Sequence, residues 1–223
     1  MVRWGLYSLR NLWARRVTTA LTVVGLGLVV FVLLAVLMLA HGLERTLGKT
    51  GDPENVIILR KGALSEIGSS LSREEIRAVA AQPDVRLTAD HRPLAVAEAG
   101  LQLTLRKGQG GSLTSVTLRG TAPEALAVRP AIRLIQGRLW KPGTTEIVVG
   151  ASIARQFPDA RVDRVLHFGS RAWTVVGVFE AGGSGFDSEV WGDAEQFLAT
   201  FHRTTFLSLT LLLAQPATLP AFK

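Results

Sequence analysis

Residues Val17 to Ala40 read VTTALTVVGLGLVVFVLLAVLMLA, with neither a charge nor a proline. At 1.5 Å per helical residue this stretch reaches roughly 36 Å, enough to cross a bilayer with some tilt. A cleavable signal peptide is the competing reading, with Ala40 and Gly42 as small residues before a cut. Signal h-regions run about 7–15 residues, and this stretch is far longer. The reading is therefore an uncleaved anchor that divides the chain into an N-terminal flank at 1–16, a transmembrane helix at 17–40, a connector at 41–54 and an exterior domain at 55–223.

The flank sets the orientation. Arg3, Arg10, Arg15 and Arg16 precede the span and no acidic residue does, which places the N-terminus in the cytoplasm and the domain outside. MVRWGLYSLRNLWARR puts Leu6, Leu9 and Trp13 at i, i+3 and i+7, with Trp4 and Tyr7 nearby. That is the pattern of an interfacial helix, with aromatic rings at headgroup level and Arg10 snorkelling to phosphates. A sharper reading makes the same surface a dock for a cytoplasmic partner. Inside the span, Thr18, Thr22 and Gly25 share one face, where small residues let a neighbouring helix approach.

Composition removes several function classes. The chain of 223 residues is 48% hydrophobic and 19% charged, which excludes disorder, and its length allows one ordinary domain or two small ones. No cysteine is present, so disulfide scaffolds, thiolate metal sites and thiol nucleophiles are excluded together. The net charge is +7, but the four leading arginines supply most of it. Beyond them no basic run with interleaved aromatics occurs, and nucleic acid is not an expected partner.

The exterior domain reads as α+β in short elements. Asn55–Lys61 is a β-branched run; Ser72-Arg-Glu-Glu75 is a capping box opening a helix to about Gln82. Strands are predicted over Pro93–Ala97, Leu101–Lys107 and Leu113–Arg119, the last two joined by a hairpin loop at Gly108–Ser112. A short helix begins near Pro123. Thr145–Val149 is a strand leading into a helix over Ala151–Phe157, and Val165–Phe168 and Ala172–Phe179 flank a tight turn at Gly169-Ser-Arg171. Asp193–Phe201 is helical, Phe206–Ala214 reads as a buried strand too short for a second span, and Gln215-Pro216 as the start of another helix.

The catalytic motifs fail on inspection. Leu43–Thr50 imitates a Walker A loop, but Leu43 replaces its first glycine and a membrane helix, not a strand, precedes it. Gly182-Gly-Ser-Gly185 lacks the final glycine of a nucleophile elbow, because Phe186 stands there. His41, His91, His167 and His202 are isolated, with no spacing that seats a metal. Asp187, Glu189, Asp193 and Glu195 crowd one segment; Trp191 and Leu198 at ligand positions defeat a calcium loop, leaving a helix N-terminus rich in acids. No metal, cofactor or enzymatic activity is expected, and no nucleophile–base–orienter set is visible.

The most distinctive residues are Phe168-Gly-Ser-Arg-Ala-Trp-Thr-Val-Val-Gly-Val-Phe-Glu180, followed by a Gly-rich run to Asp193. With Ser8–Arg16, the long span, and Gly137-Arg-Leu-Trp-Lys-Pro-Gly-Thr-Thr-Glu-Ile-Val-Val-Gly150, the whole chain resembles the first half of MacB/FtsX-like ABC-transporter permeases, near their DevC-like members. The resemblance implies a cytoplasmic helix, a first transmembrane helix and a periplasmic core-like domain with an α/β lobe and a β-rich lobe. Three further membrane helices would follow, so the chain is expected to be a truncated permease, a split gene product or a fragment.

The expected function is that of a permease component of an ABC exporter or envelope-remodelling complex in the bacterial inner membrane. Energy would come from a separate cytoplasmic ABC ATPase, coupled through Leu6, Leu9, Trp13, Arg15 and Arg16. A second permease copy or the missing C-terminal half would pack on Thr18, Thr22 and Gly25, with lipid around the span. A single-pass envelope scaffold or sensor is the alternative. The Gly182–Trp191 segment is expected to pack on the domain, with Phe186 and Trp191 as a possible periplasmic contact or, more simply, as core.

Overall fold

The computed structural model describes residues 16–48, 55–107 and 111–215. The chain divides into two compact units between Gly48 and Lys49. The first contains helix α1 (Arg16–Gly48), of which Arg16–Gly42 is long and apolar enough to cross a membrane. The helix continues past Ala40 through Gly48, so the backbone of the Walker-like stretch is helical up to Gly48 and does not form a phosphate-cradling loop.

The second unit is mixed α/β and sheet-rich. Its elements are β1 (Asn55–Ile58), α2 (Arg73–Ala80), β2 (Ala95–Arg106), β3 (Leu113–Thr121), α3 (Ala125–Val128), β4 (Arg133–Gly137), β5 (Glu146–Gly150), α4 (Ala151–Gln156), β6 (Val165–Phe168), β7 (Arg171–Glu180), β8 (Glu189–Asp193), α5 (Ala194–Thr200) and β9 (Ser208–Leu212), with single 3-10 turns at Glu66–Gly68 and Gly185–Ser188. The described strands run in the order β1-β9-β2-β3-β8-β5-β7-β4, with β6 also paired to β7. β3–β8 and β5–β7 are parallel; the other pairs are antiparallel.

Helix α2 starts where the capping box places it. Ser72 Oγ accepts from the Glu75 N–H and the Glu75 carboxylate accepts from the Ser72 N–H, satisfying two otherwise orphaned donors. Ile76 and Val79 pack on the β1–β9 part of the sheet, over Leu209 and Leu211. Strand β5 is buried on both faces: Ile147 and Val149 join one core with Trp173 and Phe197, and Val148 joins the other with Trp140 and Phe179. A strand covered on both faces reads as an unbroken apolar run rather than an alternation, which is why Ile147-Val-Val149 is legible in the sequence.

Two predicted boundaries change. The stretches expected at Pro93–Ala97 and Leu101–Lys107 are one continuous strand, β2, whose first half pairs with β9 and whose second half pairs with β3. Strand β8 falls where only a helix N-terminus was expected. Its five residues carry two acids and no β-branched run, so the local signal was weak, yet it is buried between β3 and β5. Only Asp193 and Glu195 of the four acids belong to the start of α5, where Asp193 Oδ1 accepts from the Gln196 N–H at 2.9 Å. Asp187 instead accepts from the Ala181 and Gly183 N–H groups, both at 2.7 Å, and closes the loop that Gly182 and Gly183 turn with φ of +62° and +80°. The helix expected after Gln215 lies outside the described residues.

Candidate functional site

The two signature stretches of the sequence have structural roles. In the Phe168–Glu180 stretch, the β6–β7 hairpin stacks Phe168 on Trp173 with ring centroids 5.1 Å apart, and Phe197 meets Trp173 edge-on at 4.7 Å. The buried indole is satisfied by donation to the Phe168 carbonyl at 3.2 Å. In the Gly137–Gly150 stretch, Gly137 has φ +74°, and a Cβ there would stand 2.2 Å from the Val176 carbonyl oxygen of β7. Arg138 Nη1 then donates to Glu146 Oε2 at 2.7 Å, the Lys141 N–H reaches the same carboxylate at 2.9 Å, and the Gly143 N–H reaches Asp193 Oδ2 at 2.8 Å. The loop is thereby tied to both β5 and α5.

The Arg138 hydrogen bond, helped by the Lys141 N–H, overcomes partial burial and holds Glu146 down to about 2. An unfolded glutamate titrates near about 4.3, so this stabilisation is complete above that pH and is lost as the pH falls toward about 2. Thermal unfolding of wild type and Glu146→Gln across this window should show the wild-type advantage shrinking as acid is added. A gap that stays constant with pH would show that the carboxylate charge contributes nothing.

A second constellation was not foreseen. Glu98 of β2, Arg119 of β3 and Glu189 of β8 lie on neighbouring strands, with Arg129 approaching from the end of α3. Arg119 Nε and Nη2 donate to the two oxygens of Glu189 at 2.7 and 2.9 Å, the bidentate geometry that suits guanidinium and carboxylate. Arg119 Nη1 donates to Glu98 at 2.9 Å, and Arg129 Nη2 to the same Glu98 oxygen at 2.8 Å. Thr210 Oγ1 and Thr121 Oγ1 donate to Glu98 at 3.3 and 3.4 Å, and Trp191 Nε1 donates to Glu189 at 2.7 Å. Phe186 covers the group, its ring centroid 5.2 Å from each guanidinium carbon.

Burial pushes the Glu98 carboxyl up, but the Arg119 and Arg129 guanidiniums together outweigh it and hold the group below the usual carboxylate range. Burial likewise works against the charge on Arg119, and its carboxylate partners reverse that and raise it. The Glu98 and Arg119 charges therefore persist inside the domain because each is paired.

A cleft of about 440 Å³ opens beside this cluster, lined by Glu66, Ile67, Glu98, Gln102, Arg119, Glu189 and Arg203 among others. Its buried carboxylates Glu98 and Glu189 are each held by guanidinium hydrogen bonds, so they form a fixed polar wall of the cleft. Among the described residues no group of three or more His, Cys, Asp or Glu is placed to hold a metal ion.

The residues singled out from sequence fall partly outside the described residues and partly in each of the two units. Leu6, Leu9, Trp13 and Arg15 lie outside the described residues, and Arg16 opens α1. Thr22 Oγ1 donates to the Thr18 carbonyl at 2.9 Å, one turn back, and a side chain at Gly25 would meet open space. Trp191 is wholly buried against Phe179 and Phe186. This corrects the contact expectation at that position: Trp191 has no surface to offer a partner. Phe186 is half-buried. Glu98, Arg119 and Arg129 were missed, although a lone glutamate inside Ala95-Val-Ala-Glu-Ala99 is itself a signal, since a charge in a buried strand requires a buried partner.

The structure thus defines an apolar helix followed by a mixed α/β domain whose signature residues serve packing, turns and ion pairing. The chain belongs to the MacB-like periplasmic core domain family, whose family model matches residues 19–223. This domain occurs in ABC-type transporter permeases. The extracellular domain of the noncanonic ABC-type transporter YknZ from Gram-positive bacteria is similar in fold, with a TM-score of 0.58 and 15% identity over 75% of this chain and 88% of that one. The periplasmic region of MacB from Actinobacillus actinomycetemcomitans is equally similar, with a TM-score of 0.58 and 15% identity over 76% of this chain and 80% of that one. No curated protein matches the chain in sequence.

Proposed function

We propose that the chain is the permease component of an ABC exporter or envelope-remodelling complex, in which ATP hydrolysis by a separate cytoplasmic ATPase moves the periplasmic domain. The observation that carries this reading is the extent of the family match, which begins at residue 19 inside the apolar helix and runs through the domain. The one-sided arginines support an N-terminus in the cytoplasm and a domain on the far side of the inner membrane. Leu6, Leu9, Trp13, Arg15 and Arg16 are the proposed coupling surface. Thr18, Thr22 and Gly25 are the proposed face for a second permease copy or the C-terminal half of a longer permease. Phe186 is the proposed periplasmic contact.

The test is Leu9→Asp combined with Trp13→Asp. Charges on the apolar stripe should abolish co-purification of the ATPase while leaving the chain in the membrane. Unchanged co-purification would sink the coupling assignment and favour a single-pass scaffold or sensor. A periplasm-dependent reporter fused after Lys223 should be active; activity only in the cytoplasm would overturn the orientation.

A further inference from the structure

Strand β2 has a neighbour on each side for only part of its length. On one side β3 accompanies it from Ala99 to Arg106; on the other, β9 accompanies it only from Ala95 to Glu98. The Leu207 N–H donates to the Glu98 carbonyl at 2.8 Å, and there the pairing on the β9 side stops. Two bonds fix which way the rest of the strand faces. The Lys107 N–H donates to the Ser112 carbonyl at 3.1 Å, so odd-numbered residues of this half turn their peptide groups toward β3. Glu98 turns its own toward β9, so even-numbered residues face away from β3. Gly100, Gln102 and Thr104 therefore present N–H and C=O groups along one open edge, repeating every roughly 6.8 Å. Among the described residues no backbone or side chain pairs with them there.

The outer edges of the sheet are blunted. β1 is four residues long, and β4 carries a bulge between Leu134 and Gln136. The Gly100–Thr104 edge has neither device, and its register with β3 is unbroken. The cleft of about 440 Å³ lies between this edge and the diverging 203–207 segment, with Glu66 and Ile67 at its wall. Its carboxylates are engaged: Glu98 and Glu189 by guanidiniums, and Glu66 by Ser208 Oγ at 2.7 Å and Arg119 Nη1 at 3.5 Å. Arg203 is the charge left over, exposed and without an ion pair among the described residues. We propose that the cleft is a strand-addition site for an extended segment of a partner polypeptide, whose backbone pairs with Gly100, Gln102 and Thr104 and whose acidic side chain meets Arg203. Another extended backbone is the ligand whose donors and acceptors alternate at the spacing of this edge. A slot bounded by Leu207 and Ile67 takes a single strand; a second copy would have to bring its own β3 and 203–207 segment into the same space. The site lies wholly within the second unit and does not depend on the permease reading.

The probe is a fluorescein-labelled hexapeptide of alternating valine and threonine with one glutamate, added to the full chain in detergent. Fluorescence anisotropy should show saturable binding, and hydrogen exchange over residues 100–106 should slow in its presence. The same peptide N-methylated at every backbone amide should not bind, because it has lost its donors. Gln102→Pro removes an edge N–H that the fold itself does not use, a change that edge strands tolerate. It should weaken binding about tenfold or more, by leaving a carbonyl of the peptide without a donor, while the Tm stays near that of wild type. Arg203→Glu, at an exposed position, should move the preference from the glutamate peptide to its lysine counterpart. No saturable binding up to about 1 mM overturns the site. Equal binding of the N-methylated peptide, or binding without slowed exchange at 100–106, overturns it as well. A dimer in light scattering that Gln102→Pro dissociates would make a second copy the occupant and overturn the partner reading.

Discussion

Replacing Glu98 with alanine should destabilise the domain by about 3–5 kcal/mol, the cost of breaking a buried ion pair by removing one partner. The carboxylate sits between Arg119 and Arg129, with 1% of its side chain exposed, so its loss leaves two guanidiniums facing one another in a space that water enters poorly. Thermal unfolding of the full chain in detergent, followed by tryptophan fluorescence, reads the effect directly because Trp191 donates to Glu189 within the same cluster. Glu98→Gln keeps the shape and removes only the charge, and it should fall between wild type and alanine. A shift for Glu98→Ala no larger than that of an exposed substitution would show that the cluster contributes nothing to stability. The direction with pH follows from the lowered Glu98 group: its contribution is present above the unfolded glutamate value, near about 4.3, and is lost as the pH falls through the lower folded value.

The second large effect is expected at Gly137. A left-handed conformation costs a residue with a Cβ about 1–2 kcal/mol, and forcing that atom into filled space adds roughly 1–3 kcal/mol. At Gly137 both apply, since φ is +74° and the Val176 carbonyl oxygen would lie 2.2 Å from the added carbon. Gly137→Val should therefore lose more stability than Glu146→Gln, which removes only a half-exposed ion pair in the same loop. Gly143→Ala is the useful contrast. It shares the positive φ, at +78°, but has nothing within 4 Å of its absent Cβ, so it should show only the conformational part. Equal losses at positions 137 and 143 would remove the close approach of β4 to β7 from the explanation.

The cluster joins β2, β3, β8 and α3 through side chains, and β2 alone pairs with both β9 and β3. A strand shared in this way, pinned at Glu98, is suited to keep the two parts of the sheet moving together under the proposed permease function.

Several elements were legible because their signal is local. The apolar length of Val17–Ala40, the capping box at Ser72 and the apolar run at Ile147–Val149 each depend on residues within a few turns or a single strand. The same holds for the β6–β7 hairpin, whose turn residues Gly169 and Ser170 both take positive φ. The sequence by itself thus determined the long apolar helix, most of the elements and the family resemblance. Only the tertiary structure decided that Glu189–Asp193 is an interior strand, that Trp191 is core, and that Glu98, Arg119 and Arg129 form one charged cluster. The reason is distance along the chain: Glu98 and Arg129 are 31 positions apart, and Arg119 and Glu189 are 70. Which acid meets which base is set by strand order, and that order includes a parallel pairing of β3 with β8 that no turn between them announces.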